Sequence, residues 1–577
     1  MIGASFRKRL SHGIHFGLAL LALHFSAKAE SETNAVTRTP PKRIETQICV
    51  YGGTSAGIAA AIQASRSGKT CVLLNPDSRL GGLTSNGLGW TDLGEPDAIG
   101  GIAREFYHRI YQHYTHASAW TEESRATYVA RCGLRPDEKN QLMFTFEPKA
   151  ALTVFEEMLR DAAVKIIPGR IKRPGGVRKS GNHIQELITD DGRTIIVAAQ
   201  FIDATYEGDL LAEAGVSFTI GREPQEKYHE TLAGIQTARA TKNQLPEGID
   251  PYVVPGKSQS GLLPGIRRNA GGNDGDGDQR LQAFCYRMCL TDVPSNRVMI
   301  TKPANYREAD FELLLRAIEA GQTQRFFKLS PLPNRKTDSN NDAGFSTDFI
   351  GGNYDLAQGW NYVEASYSRR AEIDQAHRSF QMGFVWTLQN HPRVPAKIRK
   401  AWSRWGLPLD EFSENGHWPP GLYVREARRM ISDFVITEHE VHQEPGHVAV
   451  DSIGMGGYNM DSHHVQRYVT PQGFVQNEGD IQVAPQRGPY GISYRALVPR
   501  SNEAENLIVP VCVSASHVAF GSIRMEPVFM ILGQSAAAAA AMAIEDRVPV
   551  QKVSYPKLRK ILLEAGQILE LKNNERE

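Results

Sequence analysis

The sequence predicts an α/β protein: a parallel sheet with a crossover helix, interrupted by an inserted α+β segment. Three observations carry that expectation. Residues 48–75 read as strand, glycine turn, small-residue helix and strand. Residues 507–541 read as a strand followed by a helix entered through Glu526-Pro527. Between these blocks, residues 226–494 are rich in Trp, Tyr, Arg and Asn and only weakly periodic.

The chain has 577 residues, 41% hydrophobic and 22% charged, with 52 Gly and 31 Pro. That composition suits a folded globular protein and excludes a disordered tail, a coiled coil or a collagen-like chain. The length exceeds what one hydrophobic core usually serves, so two domains are expected. Lys and Arg number 65 against 64 Asp and Glu, and this near-neutral balance makes no case for nucleic acid or a membrane surface.

Residues 1–29 read as a signal peptide. Phe6-Arg7-Lys8-Arg9 is a basic start, residues 14–25 form an apolar run too short to span a bilayer, and Ala27-Lys28-Ala29 is a small-x-small cleavage pattern. Export to the periplasm or medium is expected, with no membrane span left after cleavage. Lys8 separates the two arginines, which favours export unfolded and cofactor loading outside the cytoplasm. Residues 30–43 are polar, end near Pro40-Pro41 and read as a disordered leader. Six cysteines are too few for a disulfide scaffold, and most read as buried free thiols.

The first block is the informative one. Gly52-Gly53-Thr54-Ser55-Ala56-Gly57 follows the strand at 48–51 and opens the helix at 58–64, which Gly68 closes. A second strand, 70–74, ends at Asn75. This is the βαβ dinucleotide unit, so the sheet is Rossmann-like. Gly52 permits the tight turn, Gly57 permits close helix packing, and the helix N-terminus suits a pyrophosphate. Two positions depart from the common pattern. Thr54 stands where the middle glycine is usual, and Asn75 stands where an acid usually holds a ribose hydroxyl. Gly81, Gly82 and Leu83 come directly after the second strand. A glycine pair there allows a second close approach to a long dinucleotide, which favours FAD over NAD. No second nucleotide fingerprint follows, since Gly454-Met455-Gly456-Gly457 does not open a helix.

These strings, with the run from Leu80 to Asp92, resemble the bacterial FAD-dependent oxidoreductase family of the two-dinucleotide-binding-domain flavoproteins. The resemblance continues at 201–209, 284–292, 333–338, 423–430, 509–517 and 521–535, nearly everything after the signal. Some members are labelled polysaccharide lyases, xanthan lyase among them. The resemblance implies a Rossmann-like FAD/NAD(P)-binding fold of the GR2 type with FAD as cofactor. Residues 44–225 and 495–577 would then form the FAD-binding domain, the latter ending in a C-terminal helix. Residues 226–494 would form a substrate or cap domain.

The other segments fit that frame. Residues 164–171 are an apolar strand and turn, and the resemblance puts the backbone of Arg170 and Ile171 at the adenine. Asp191-Gly192 marks a hairpin turn. The strand through Asp203, Ala204 and Thr205 returns the chain to the cofactor. Residues 507–513 form the last sheet strand. By resemblance, the helix N-terminus at Glu526 and Phe529 faces the flavin. His517 and Arg524, between that strand and helix, are the candidate catalytic pair: His517 to take a proton, Arg524 to hold a carboxylate or the reduced flavin. Arg287, Arg425, His463 and His464 are substrate-binding candidates, and no metal site is expected. Arg425 and Arg429 are spaced to share a helix face, and the acid-rich stretch 271–278 reads as a mobile loop. The expected function is hydride transfer between FAD and a small polar or sugar-derived substrate, with an unidentified electron acceptor. A polysaccharide lyase and a non-catalytic cell-surface binding protein on the same scaffold remain the alternatives.

Overall fold

The first strand is longer than its apolar stretch. In the computed structural model, which describes residues 40–132 and 137–571, it spans Lys42–Tyr51. The expected signal peptide and residues 30–39 of the leader lie outside the described residues; residues 42 and 43, expected to be disordered, are paired backbone. The reason is that Lys42 to Thr46 continue the parallel ladder beside Thr194 to Ala198, and ladder hydrogen bonds need no apolar side chains.

The main sheet contains β1 (Lys42–Tyr51), β2 (Cys71–Asn75), β3 (Lys165–Pro168), β4 (Val177–Ser180), β5 (His183–Ile188), β6 (Thr194–Asp203) and β7 (Leu507–Ile508). Its order is β3-β2-β1-β6, all parallel. The N-terminal half of β6 pairs antiparallel with β5 of the β4–β5 hairpin, and its C-terminal half pairs parallel with β7. The last strand is shorter than the expected 507–513. Beyond Ile508 the backbone leaves the sheet, and the Val509 N–H turns to the Leu497 carbonyl.

The helices that position the site are α1 (Ser55–Arg66), α2 (Gly101–His113), α3 (Pro148–Asp161), α4 (Tyr367–Asn390), α5 (His517–Ile523) and α6 (Glu526–Asp546). Both sheet faces are covered, as parallel strands require. Ile48, Val50 and Leu73 face a core shared with α1, α2, α3 and α6, while Cys49, Tyr51, Val72 and Leu74 face a second core with Phe201 and Leu211. Residues Ser55 to Ala64 of α1 are buried throughout. A Cβ on Gly57 would stand 1.8 Å from the Gly52 carbonyl oxygen, and one on Gly533 of α6 would stand 2.1 Å from that of Ala56. Those glycines let α1 touch the end of β1 on one side and α6 on the other. The 21-residue α6 is apolar and long enough to cross a membrane, yet its residues from Glu526 to Ala543 are packed inside the protein.

Most of the segment 226–494 has its own apolar cluster around Phe284, Leu314, Phe345, Phe384 and Trp418. Its long helix α4 was hidden from periodicity because its core face includes Arg370, His377 and Gln381 as well as Phe384 and Leu388. Ser366 caps it by accepting from the Arg369 N–H. Two expectations fail here. Arg425, Arg428 and Arg429 share no helix: residues 422–428 are irregular and Arg429 starts the short strand Arg429–Met430. The stretch 271–278 is pinned, because Asp274 accepts from Thr237 and Ala238 while Asp278 pairs with Arg222 at 2.5 Å. Its acids are consumed by internal bonds. Cys49, Cys71, Cys285, Cys289 and Cys512 are free thiols, and all of these but Cys71 are buried.

Gly533→Ala tests the α1–α6 contact. The added methyl must push the helices apart, and the expected loss is about 1–3 kcal/mol, read as a lower thermal unfolding midpoint. An unchanged midpoint would show that the two helices separate freely.

Candidate cofactor and substrate site

A cleft of about 280 Å³ opens at the C-terminal ends of β1 and β6, beside the N-terminus of α1. Thr54, Gly82, Leu83, Arg170 and Thr205 line it, as do Tyr206, Tyr362 and Tyr367. The remaining glycines shape it from behind. Gly52 has φ +109, and its Cβ would lie 2.8 Å from the Ala204 backbone. Gly53 lies so close to Asn75 that a Cβ would meet Oδ1 at 2.3 Å. Gly81 is clipped to the first turn by its N–H donating to the Gly53 carbonyl at 2.7 Å.

The two departures from the common pattern have local explanations. Thr54 is the N-cap of α1: its hydroxyl accepts from the Gly57 N–H and donates to the Ala204 carbonyl at 2.7 Å. Its polar atom is spent on the fold while its surface lines the cleft. Asn75, expected at a ribose hydroxyl, lies off the cleft wall. Its Oδ1 accepts from the Gly53 and Asp77 N–H groups, and its Nδ2 donates to the Asp77 carbonyl. An amide can do both jobs, so Asn75 stitches two loops together.

Asp203 also acts on the fold. It accepts from Leu211 N–H and from both Thr205 groups, and burial pushes its carboxyl up to about 6. Ile171 is buried between Tyr51 and Tyr367, donating to one hydroxyl and accepting from the other, while Arg170 stacks 4.2 Å over the Tyr367 ring. At the start of α6, Glu526 accepts from Tyr206 OH at 2.6 Å and Thr84 Oγ1 at 2.7 Å, and burial raises its carboxyl. The same Tyr206 hydroxyl accepts from the Leu83 N–H, and its ring lies 6.1 Å from that of Phe529. Tyr206 thus ties the second glycine turn to α6, and a Cβ on Gly82 would strike its hydroxyl at 2.2 Å. Sequence reasoning missed Tyr206, although it follows Thr205 directly.

A second cleft, of about 250 Å³, lies on the other side of Tyr423. Leu422 and Val424 face the first cleft, and Tyr423 faces the second. Three candidates far apart in sequence meet here: Arg287, His463 and Arg524. Asp92, Lys328, Tyr458, Asp461 and Asp480 are also on the wall, and sequence reasoning assigned none of them to a site. Arg524 donates to Tyr423 OH at 2.8 Å and pairs with Asp461 at 2.8 Å. Arg287 is locked to Asp338 through two bonds of 2.7 Å. Arg425 sits behind the wall, 4.8 Å from the Tyr423 ring and paired with Asp348 at 2.9 Å.

Asp348 also receives His463 Nδ1 at 2.7 Å. Burial would raise the Asp348 carboxyl, but Arg425 and His463 hold it below the carboxylate range. Burial, reinforced by the Arg425 charge, pushes the His463 imidazole down to about 4. A neutral ring beside an ionised carboxylate must donate from Nδ1, which leaves a lone pair on Nε2. Nε2 lies 3.8 Å from Asp461, whose carboxyl burial pushes up to about 7 against the pull of Arg524.

Two candidates are displaced. His517 lines neither cleft. Its Nδ1 lies 2.8 Å from Glu426 and its N–H donates to Glu223, so the start of α5 is drawn into the interior by buried carboxylates. His464 stands directly behind the wall of the second cleft, with Nε2 at 3.0 Å from the Asn243 carbonyl and 3.9 Å from Asp480, both of which line it. Glu147, Asp410 and Glu411 form the one group with metal-ligand spacing among the described residues, and the Lys336 ammonium stands 2.7–2.8 Å from all three. His439 and His447 pair with separate carboxylates, Glu444 and Glu440.

A parallel sheet ending in a glycine cradle, with a helix N-terminus beside it and no room for a Cβ at Gly52, Gly53 or Gly82, fits a bound dinucleotide. Residues 47–562 match the family described as FAD dependent oxidoreductase, and the chain belongs to that family. It is therefore an FAD-dependent flavoenzyme. No curated protein matches it. Solved structures resemble part of it. L-proline dehydrogenase from P. horikoshii is 16% identical, over 32% of this chain and 59% of that one, with a TM-score of 0.22. L-amino acid deaminase from Proteus vulgaris is 13% identical, over 32% and 53%, with a TM-score of 0.23. 3-ketosteroid-delta4-(5alpha)-dehydrogenase from Rhodococcus jostii RHA1 is 18% identical, over 32% and 50%, with a TM-score of 0.19. Each match spans less than two thirds of the solved chain.

Asp461 makes stability depend on pH in a defined direction. Its folded value of about 7 exceeds the ordinary 3.8, so the folded state holds an extra proton between those values. Its contribution is full below 3.8 and is lost as pH rises through about 7. Asp461→Asn stays neutral, so its unfolding midpoint is expected to gain on the parent from pH 5 to pH 7 and hold that gap above. A gap independent of pH would remove Asp461 from this role.

Proposed function

We propose that the protein is an exported oxidoreductase that takes hydride from a small, hydroxylated, sugar-derived substrate held in the cleft beyond Tyr423. The convergence of Arg287, His463 and Arg524 with Asp92, Tyr458 and Asp461 in one polar cleft, one residue away from the wall of the cofactor cleft, carries this reading. The glycine cradle, Thr54, Leu83, Thr205 and Tyr206 would hold FAD, with the Arg170–Tyr367 pair at one end and the start of α6 at the other. FAD supplies the two-electron acceptor for a hydride.

The chain's own residues supply binding and proton transfer. His463 Nε2, neutral at neutral pH, accepts a hydrogen bond from a substrate hydroxyl and takes its proton as hydride departs and the hydroxyl turns strongly acidic, and Asp348 fixes the tautomer that leaves this atom free. Arg524 and Tyr423, bonded to each other, orient substrate oxygens. The arginines on the wall are matched by acids: Arg287 by Asp338, Arg325 by Asp342, Arg524 by Asp461. Such a wall offers donors and acceptors with its arginine charges already neutralised. That suits a neutral polyol better than the acidic sugar a lyase would need to grip. Electrons would pass on to oxygen, a quinone or a partner protein, because the sequence has one dinucleotide fingerprint. Export rests on the pattern in residues 1–29.

The test is anaerobic addition of neutral sugars and sugar alcohols to the flavin-loaded protein. Bleaching of the flavin band by one of them is the expected result. His463→Ala should slow that bleaching by about 10²–10⁴-fold without lowering flavin content. Cleavage of an acidic polysaccharide with an unchanged flavin spectrum would establish the lyase reading instead.

A further inference from the structure

Nine-tenths-buried arginines are common in this protein, and they are paired. Arg222, Arg287, Arg370, Arg425, Arg429 and Arg524 each meet a carboxylate. Among the described residues, Arg467 is the one buried arginine without an ion-pair partner. It lies on the strand Gln466–Val469 and is 6% exposed. Nε donates to Asn477 Oδ1 at 2.8 Å and Nη2 donates to the Gly344 carbonyl at 3.0 Å; Nη1 has no partner among the described residues. With no charge to offset it, burial pushes this guanidinium down to about 10. A buried, uncompensated cation is costly and persists where something else needs it.

Arg467 forms part of the wall of a cavity of about 470 Å³ beside α4. The other walls are flat rings. Phe349 and Phe380 stack at 4.4 Å with planes 7° apart, and Tyr306 and Phe311 stack at 5.1 Å with planes 11° apart. Phe345 lies under the guanidinium at 5.1 Å. The one carboxylate on the wall, Asp310, is already gripped by Arg307 at 2.6 Å. The cavity shares no lining residue with the cofactor cleft or the substrate cleft.

We propose that this cavity is a second small-molecule site, separate from the active site, that takes a planar aromatic carboxylate with its ring laid against the aromatic wall and its charge on Arg467. Aromatic walls select a flat apolar body, and one unpaired guanidinium selects a single negative group. A phosphate would leave the rings unused, and a neutral aromatic would leave the cation unpaired.

The test uses 2-naphthoate as probe and calorimetric titration of the full-length, FAD-loaded protein. Saturable one-site binding is expected. The neutral, equally shaped 2-naphthamide should bind about 10- to 100-fold more weakly. Arg467→Gln should bring the two probes to equal affinity while the protein still carries flavin, because removing an uncompensated charge is not expected to unfold it. Ala376→Trp, which places a large side chain on the cavity wall from α4, should weaken binding of both. No binding by the parent protein, equal affinity for acid and amide, or binding that survives both substitutions would each overturn the proposal.

Discussion

The structure depends on one close contact: α1 and α6 meet backbone to backbone at Ala56 and Gly533. These helices lie at opposite ends of the chain, and most of the protein is threaded between them. Gln534 strengthens the junction, accepting from the Ile102 N–H and donating to Gln63. Because α6 lies against α1, its first residue reaches the glycine cradle, and Glu526 can bond Thr84 and Tyr206. The second glycine turn, whose Gly82 and Leu83 line the cofactor cleft, is therefore held by a residue 442 positions away from Thr84. The segment between must leave the sheet after β6 and return at β7, which explains why β7 pairs directly with β6.

The second organising constraint is charge. Burying an arginine is costly, and the protein offsets that cost by pairing nearly all of them. The pairing also sets function. Asp348 serves Arg425 and His463 together, so one carboxylate fixes both a buried cation and the tautomer of the proposed base. Asp461 sits against Arg524 in the same way, 3.8 Å from His463 Nε2. Lys336 with Glu147, Asp410 and Glu411 shows the same solution in a purely structural setting, with an ammonium where three carboxylates converge.

Several parts of the site were legible early because their signals are local. Gly57 is required by the Gly52 carbonyl one turn away, Gly52 and Gly82 by their positive φ, and Pro527 suits the first turn of a helix. The apolar run at the end of β1 and the closing Gly68 are equally local. Thr54 and Asn75 show the limit of such reading. Their positions in the motif were found, but their polar atoms serve a cap and a loop stitch, which depend on where the neighbouring backbone runs. His517 failed for the same reason, since its position after the last strand is correct but two distant glutamates capture it.

The sequence by itself determined the βαβ unit and the α6 helix, since glycine conformation, apolar runs and helix entry act over a few residues, and its motifs over residues 47–562 place the chain among FAD-dependent oxidoreductases. The tertiary structure alone decided which charges share a cleft. Asp92, Arg287, Tyr423, Tyr458, Asp461, His463 and Arg524 come together only when an irregular segment folds over its own core. No spacing along the chain encodes that meeting, because buried ion pairs are chosen by packing in three dimensions. Arg467 makes the same point in reverse: in the sequence it is one more arginine, and only the packed structure shows that no acid comes to meet it.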